Sequence, residues 1–344
     1  MITHRSPFDH LMVMTDRVGL FEHARFTSPR RDHGYCVDDV ARGLVVLCRA
    51  EVLSPCEDEA RRKYLEFVVA SQTADGHVVN RRDVLGRPHG WPEAGDCWGR
   101  ALWGLGTAAS RSHDPMVATA AAMAFERSSS LRSRYPRAMA YAGLGAAEFL
   151  RSHPGHQPAR ALLYDAALAA AGRSFDASTT DSFPAWPWPE ARLTYANALL
   201  PDVILAAGDV LGDQRLVETG LGLLSWLLDV ETAGEHLSVT PASGWAPGEP
   251  RPGYDQQPIE VATLADACAR AGDLTGEARW LNAVEMAAGW FHGLNDTGVV
   301  LADPVSGGCC DGLQKHGRNE NQGAESTLAL VSTVQHENRL CRTR

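Results

Sequence analysis

The chain has 344 residues, 44% of them hydrophobic and 22% charged, which is enough apolar content to bury a full globular core. Its formal charge of −10 and pI near 5.7 argue against nonspecific binding along a nucleic-acid backbone, which needs a basic face; Lys63 and Lys315 are its two lysines. No apolar run reaches the roughly 18 residues of a membrane span, and MITHRSPFDHLMVMTDR lacks the apolar stretch of a secretory leader, so the expectation is a cytoplasmic protein without a membrane partner.

In chain order, a loop rich in Gly, Pro, Trp or acids repeatedly runs into a helix of small and apolar residues. The segments are RDHGYCVDDVARGLVVLCRA (31–50), GWPEAGDCWGRALWGLGTAA (90–109), a weaker RSRYPRAMAYAGLGAAEFL (132–150), FPAWPWPEARLTYANALLPDVILAAG (183–208), RPGYDQQPIEVATLADACARAG (251–272) and RNENQGAESTLALV (318–331). After their first turns these helices are apolar nearly all round, which means burial on every side. Amphipathic, charged helices are expected between them, near 57–71, 115–128, 158–172, 212–229 and 275–292. An inner and an outer ring would produce this alternation. The expected fold is all-α, an (α/α)6 toroid of six helical hairpins spanning residues 1–344 as a single domain. Its inner helices start near 38, 96, 137, 190, 257 and 323. The rival is an open solenoid, but no packing signature repeats at a fixed period. Too few residues follow the sixth inner helix for a full outer partner. That partner must be very short or come from the N-terminal segment around Pro7–Thr15.

In a toroid the N-termini of the inner helices converge on one mouth, where their dipoles favour negative charge. The loops there supply Tyr35, Asp38 and Asp39, then Trp91, Asp96 and Arg100, then Trp186, Trp188 and Glu190. The last two add Tyr254, Asp255, Gln256, Gln257 and Glu260, then Asn319, Glu320, Asn321, Gln322 and Glu325. Carboxylates and amides that pair with hydroxyls, beside flat aromatic rings, suit sugar recognition. Taken singly, Asp38 and Asp96 read as helix caps; the recurrence across segments favours a site. Trp103, Trp226, Trp280 and Trp290 fall inside helix patterns and read as core. The sequence contains no HExxH, GxSxG, P-loop or strand-linked GxGxxG, and the eight cysteines form no CxxC pair. Neither a metal nor a cofactor is implied, and reduced, buried thiols are expected.

The stretches GYCVDDVARGL, WGRALWGLG, YDQQPIEVATLADA and NENQGAESTLAL together resemble the six-hairpin glycosidase-like superfamily, in particular bacterial (α/α)6 domains found alone or appended to retaining glycosyltransferases. The resemblance spans roughly Asp16 to Val331 and implies a carbohydrate-active toroid acting on an oligosaccharide or polysaccharide, with a glycosyltransferase as candidate partner. The leading expectation is a glycoside hydrolase with Glu325 or Glu260 as acid and Asp39 or Asp255 as base or hydroxyl ligand. Trp91, Trp186, Trp188 and Tyr254 would stack on sugar rings. The alternatives are a sugar epimerase or isomerase, a phosphorylase using Arg42, Arg100 or Arg192, and a glycan-binding accessory domain.

Overall fold

The computed structural model describes residues 6–172, 186–251 and 253–343. Twelve helices follow one another among these residues: α1 (Asp9–Val13), α2 (Val37–Arg49), α3 (Pro55–Ser71), α4 (Asp96–Arg111), α5 (Pro115–Ser128), α6 (Pro136–Ser152), α7 (Gln157–Ala171), α8 (Leu199–Leu211), α9 (Gln214–Val230), α10 (Pro258–Thr275), α11 (Ala278–Phe291) and α12 (Ala324–Thr343). The even-numbered helices form a ring in which each packs on the next and α12 returns to α2. The odd-numbered helices lie outside them. The sixth outer place is taken by α1, which packs on α12 and α3, so the N-terminal segment completes the last hairpin.

Burial follows from composition. Helix α6 is buried continuously from Arg137 to Leu150, as its run of Ala, Gly and Leu requires. Outer helix α7 buries only one stripe, Ala159, Leu162, Leu163, Ala166, Ala167, Ala170 and Ala171, at helical spacing. The outer helices start on strong local signals. Ser54 and Glu57 form a capping box ahead of α3, and the Asp114 and Asp213 side chains accept backbone N–H groups at the starts of α5 and α9.

Glycines set the width of the inner ring. A Cβ on Gly145 would lie 2.2 Å from the Leu102 carbonyl oxygen, one on Gly106 2.0 Å from that of Gly145, and one on Gly99 2.3 Å from that of Ala138. Helices α4 and α6 therefore touch backbone to backbone.

Five inner helices begin within a residue of the expected positions. The fourth differs: α8 begins at Leu199, not near 190. The residues between are held in other bonds. Leu193 and Trp245 exchange backbone hydrogen bonds at 2.8 and 3.0 Å, and the N–H groups of Ala196 and Asn197 point at the Glu260 carboxylate. Short antiparallel strands also form in the loops that precede inner helices, at Tyr35–Cys36, Val78–Arg82, Pro88–Glu93, Gly312–Gln314 and Gly317–Asn319. All eight cysteines are free, Cys56 and Cys341 being exposed. No helix among the described residues is long and apolar enough to cross a membrane.

Replacing Gly145 by Ala should destabilise the protein by about 3 kcal/mol, because the new methyl meets rigid backbone and not a side chain that can turn away. Denaturant unfolding checks this; a loss below about 0.5 kcal/mol would show that the two helices separate easily.

Candidate active site at the N-terminal mouth of the barrel

Helix α2 opens with Asp38 and Asp39 and places Arg42 one turn further in. The buried Arg42 guanidinium donates to Asp39 Oδ1 and to Glu325 Oε2, each at 2.7 Å. The Cys36 thiol donates to the other Asp39 oxygen at 3.2 Å. Burial pushes the Asp39 carboxyl up to about 7; Arg42 opposes the rise, while Glu325 and Glu22 add to it. Glu325, in the first turn of α12, has 42% of its side chain open to solvent. Asp311 fixes the start of that helix, accepting from Gly323 N and Ser326 Oγ at 2.8 Å each.

Arg100 of α4 repeats the arrangement. It donates to Asp38 at 2.8 Å and approaches Asp96 at 3.5 Å, and its guanidinium lies 4.6 Å from the Tyr141 ring centre. Asn80 donates to the other Asp38 oxygen at 2.8 Å. Burial pushes the Asp38 carboxyl up, but Arg100 and Arg42 outweigh it and hold the group below its ordinary value. The Tyr195 hydroxyl donates to Asp96. Arg137 of α6 forks onto Glu190 at 2.6 and 2.8 Å. Three consecutive inner helices thus each carry a buried arginine clamped by carboxylates from neighbouring elements.

Glu260 is buried in the first turn of α10. It accepts from Ala196 N at 2.5 Å, Asn197 N at 3.2 Å and Asn197 Nδ2 at 3.3 Å. Burial, then Glu231, pushes its carboxyl up to about 8 against those donors and Arg137. It sits beneath the mouth and faces backbone.

The remaining expected site residues divide. Gln256 is buried and fully engaged, donating to Gly253 O at 2.8 Å and Asp296 at 2.5 Å and accepting from Trp290 Nε1 at 3.1 Å. Gln322 donates to Asp303 at 2.9 Å and accepts from Ser306 at 2.6 Å. Asn321 accepts from Phe26 N, and Asn319 from Asn321 N. These amides brace loops. Tyr35 is buried, stacked on Phe21 and bonded to Asp16 at 2.9 Å. Trp188 is buried against Trp226, and Trp186 packs edge-on to Trp226 and Trp245, so these rings contact one another. Tyr254 and Gln257 are half-buried, and Asp255 is exposed. Glu320 is exposed and pairs with Arg318 at 3.1 Å. Trp91 projects from its strand, 89% exposed. Arg192 pairs on the surface with Glu249.

Sequence reasoning missed Tyr195 and Arg137. A signal for Arg137 existed: an arginine in the first turn of a buried helix opposes the dipole and needs an acid partner. Tyr195 carried none, since it lies in the stretch expected to be helical. Ligand atoms of Glu22, Cys36 and Asp39 lie within 4.8 Å of one another. Both carboxylates already have guanidinium partners, Arg81 and Arg42, and burial pushes the Cys36 thiol well up, so the trio is poorly suited to a metal.

A cavity of about 530 Å³ lies at the opposite end, where the inner helices finish. It is lined by the ion pairs Arg49–Asp266 and Arg111–Glu148 and by Arg270, which pairs with Asp202. Basic side chains at helix C-termini complement the dipoles. The mouth holds Glu325 and Asp96, whose side chains are 42% and 30% exposed.

No protein-family model and no curated protein matches the chain. Solved structures do. A sugar epimerase from a ruminal bacterium is 12% identical, with a TM-score of 0.75, over 99% of this chain and 97% of its own. A D-mannose isomerase is 10% identical, with a TM-score of 0.70, over 98% and 96%. A cellulase of C. cellulolyticium, in complex with cellobiose, is 9% identical, with a TM-score of 0.61, over 94% and 88%. At such identities the likeness is one of fold. The chain shares with these proteins the fold of an (α/α)6 toroid.

Proposed function

We propose that this chain is a carbohydrate-active enzyme that hydrolyses a glycosidic bond at the N-terminal mouth. Glu325 is the proton donor and Asp96, held by Tyr195 and Arg100, is the base that activates water. The observation that carries the reading is Arg42, one guanidinium shared between a buried carboxyl that keeps its proton to about pH 7 and a half-exposed carboxylate. Burial keeps the proton on Asp39 against the pull of Arg42, and the nearby Glu325 charge adds to the effect. Of the two carboxyls, Glu325 is the one open to solvent and so the one that meets the leaving oxygen. In the step, the proton goes to the leaving oxygen as its bond to the anomeric carbon breaks. Water attacks that carbon and loses a proton to Asp96. Asp96 replaces Asp39 and Asp255 as base because Asp39 is buried and Asp255 belongs to a different loop group. Trp91 offers the exposed ring for stacking.

The second reading is a sugar epimerase or isomerase, favoured by the fold's likeness to proteins described as a sugar epimerase and a mannose isomerase. That chemistry needs a base beside the carbonyl-adjacent carbon; the clamps supply carboxylates for it, and the His23 imidazole lies beside the first clamp, 3.6 Å from Glu22. Incubation with a panel of oligosaccharides and product analysis by mass separates the readings. Hydrolysis yields shorter sugars. Epimerisation yields isomers of equal mass, and a binding module or glycosyltransferase accessory domain yields no product.

Two results are expected of a substrate so found. Glu325→Gln should lower kcat by about 10²- to 10⁴-fold, the usual contribution of a general acid, with an unchanged circular dichroism spectrum; near-normal turnover removes Glu325 from the chemistry. Because ionisation of Asp39 draws Arg42 toward it and away from Glu325, kcat/KM should fall as pH rises through about 7. In Asp39→Asn that limb should disappear from the pH–rate profile; an unchanged limb would assign the titration to another group.

A further inference from the structure

Ala196 has a φ of 46°, in the left-handed region that a residue with a Cβ avoids. Such a conformation persists where its surroundings over-determine it. Here they do so from both sides. The Glu260 carboxylate receives the N–H groups of Ala196 and Asn197, and Arg137 donates through Nε to the Tyr195 carbonyl at 2.5 Å. Asn197 completes the bracket, its Oδ1 accepting from Thr194 N at 2.9 Å. Glu260 does not merely cap α8. That helix starts at Leu199, and the two N–H groups in question lie before Ala198, its cap residue.

The consequence is the direction of Tyr195. Its ring lies 5.1 Å from the Arg137 guanidinium and its hydroxyl reaches Asp96. The groups that act on the phenol are Asp96 and Arg100 on α4 and Tyr141 on α6.

We propose that Glu260 is a positioning residue: by locking Ala196 in the left-handed conformation it aims Tyr195 at Asp96 and so orients the carboxylate read above as the base. This rests on that reading for its catalytic consequence, while the clamp itself is a matter of geometry. Glu260, half of the expected acid assignment, then acts through backbone and not on the sugar.

The test is the phenolate absorbance titration of Tyr195, obtained as the difference between the wild-type protein and Tyr195→Phe. In the wild type Tyr195 should titrate above the ordinary phenol range, because burial and the bond to Asp96 both disfavour the phenolate. Glu260→Gln turns one backbone N–H against an amide N–H, and Glu260→Asp falls short by a methylene. Both should bring the Tyr195 titration down toward the ordinary range and lower kcat at least about tenfold with KM within about twofold. Adding Ala196→Gly to Glu260→Gln should restore part of the high titration, since glycine adopts this φ without a clamp. A Tyr195 titration unchanged in both Glu260 variants would overturn the proposal. A titration that moves while Tyr195→Phe keeps full turnover would uphold the clamp and overturn its catalytic consequence.

Discussion

A guanidinium buried in a helical barrel must be matched by carboxylates, because an unpaired interior charge costs several kcal/mol. Arg42 meets this condition in a way that also closes the molecule. One of its partners, Asp39, is in its own helix; the other, Glu325, is in the last inner helix. The same ion pair therefore joins the ends of the ring and brings a half-exposed carboxylate to the mouth. Arg100 joins α4 to α2 through Asp38, and Arg137 joins α6 to the Glu190 loop. The far end is stitched likewise, with Arg49 reaching Asp266 on α10, Arg111 reaching Glu148 on α6 and Arg270 reaching Asp202 on α8.

The two ends nonetheless differ in character. Helix dipoles present positive potential at the N-terminal mouth and negative potential at the other end. Arginines at the C-terminal end are electrostatically at ease there, whereas arginines at the N-terminal end sit against the dipoles and depend on their acids. Gly99, Gly106 and Gly145 allow close backbone contact between α4 and α6, the adjacent helices that carry Arg100 and Arg137. The acids collected to neutralise them are the groups on which the proposed function rests.

Much of the fold was legible because its signal is local. A helix apolar on all sides has to be an inner one, and a striped helix has to be an outer one; the outer helices carry their own caps, as Ser54, Asp114 and Asp213 illustrate. The start of α8 was not legible. Pro189 and the residues after it read as a helix entry, but the backbone N–H groups of Leu193, Ala196 and Asn197 bond to Trp245 and Glu260, partners more than fifty residues away. Long-range partners also decide the aromatic residues. Trp186 and Trp188 looked like stacking platforms from their Pro-rich loop, but Trp226 of α9 and Trp245 occupy them. For the site, the gathering of acids at the helix starts was readable. Which acids stay open to solvent was not, because that depends on which arginine reaches which carboxylate.

A crystal structure of the Glu325→Gln variant with a bound oligosaccharide tests the central claim most directly. The account places the sugar at the N-terminal mouth, its glycosidic oxygen within hydrogen-bond distance of residue 325 and the anomeric carbon facing Asp96 across a water. A sugar seated instead in the cavity between Arg49, Arg111 and Arg270, with the mouth empty, would contradict it.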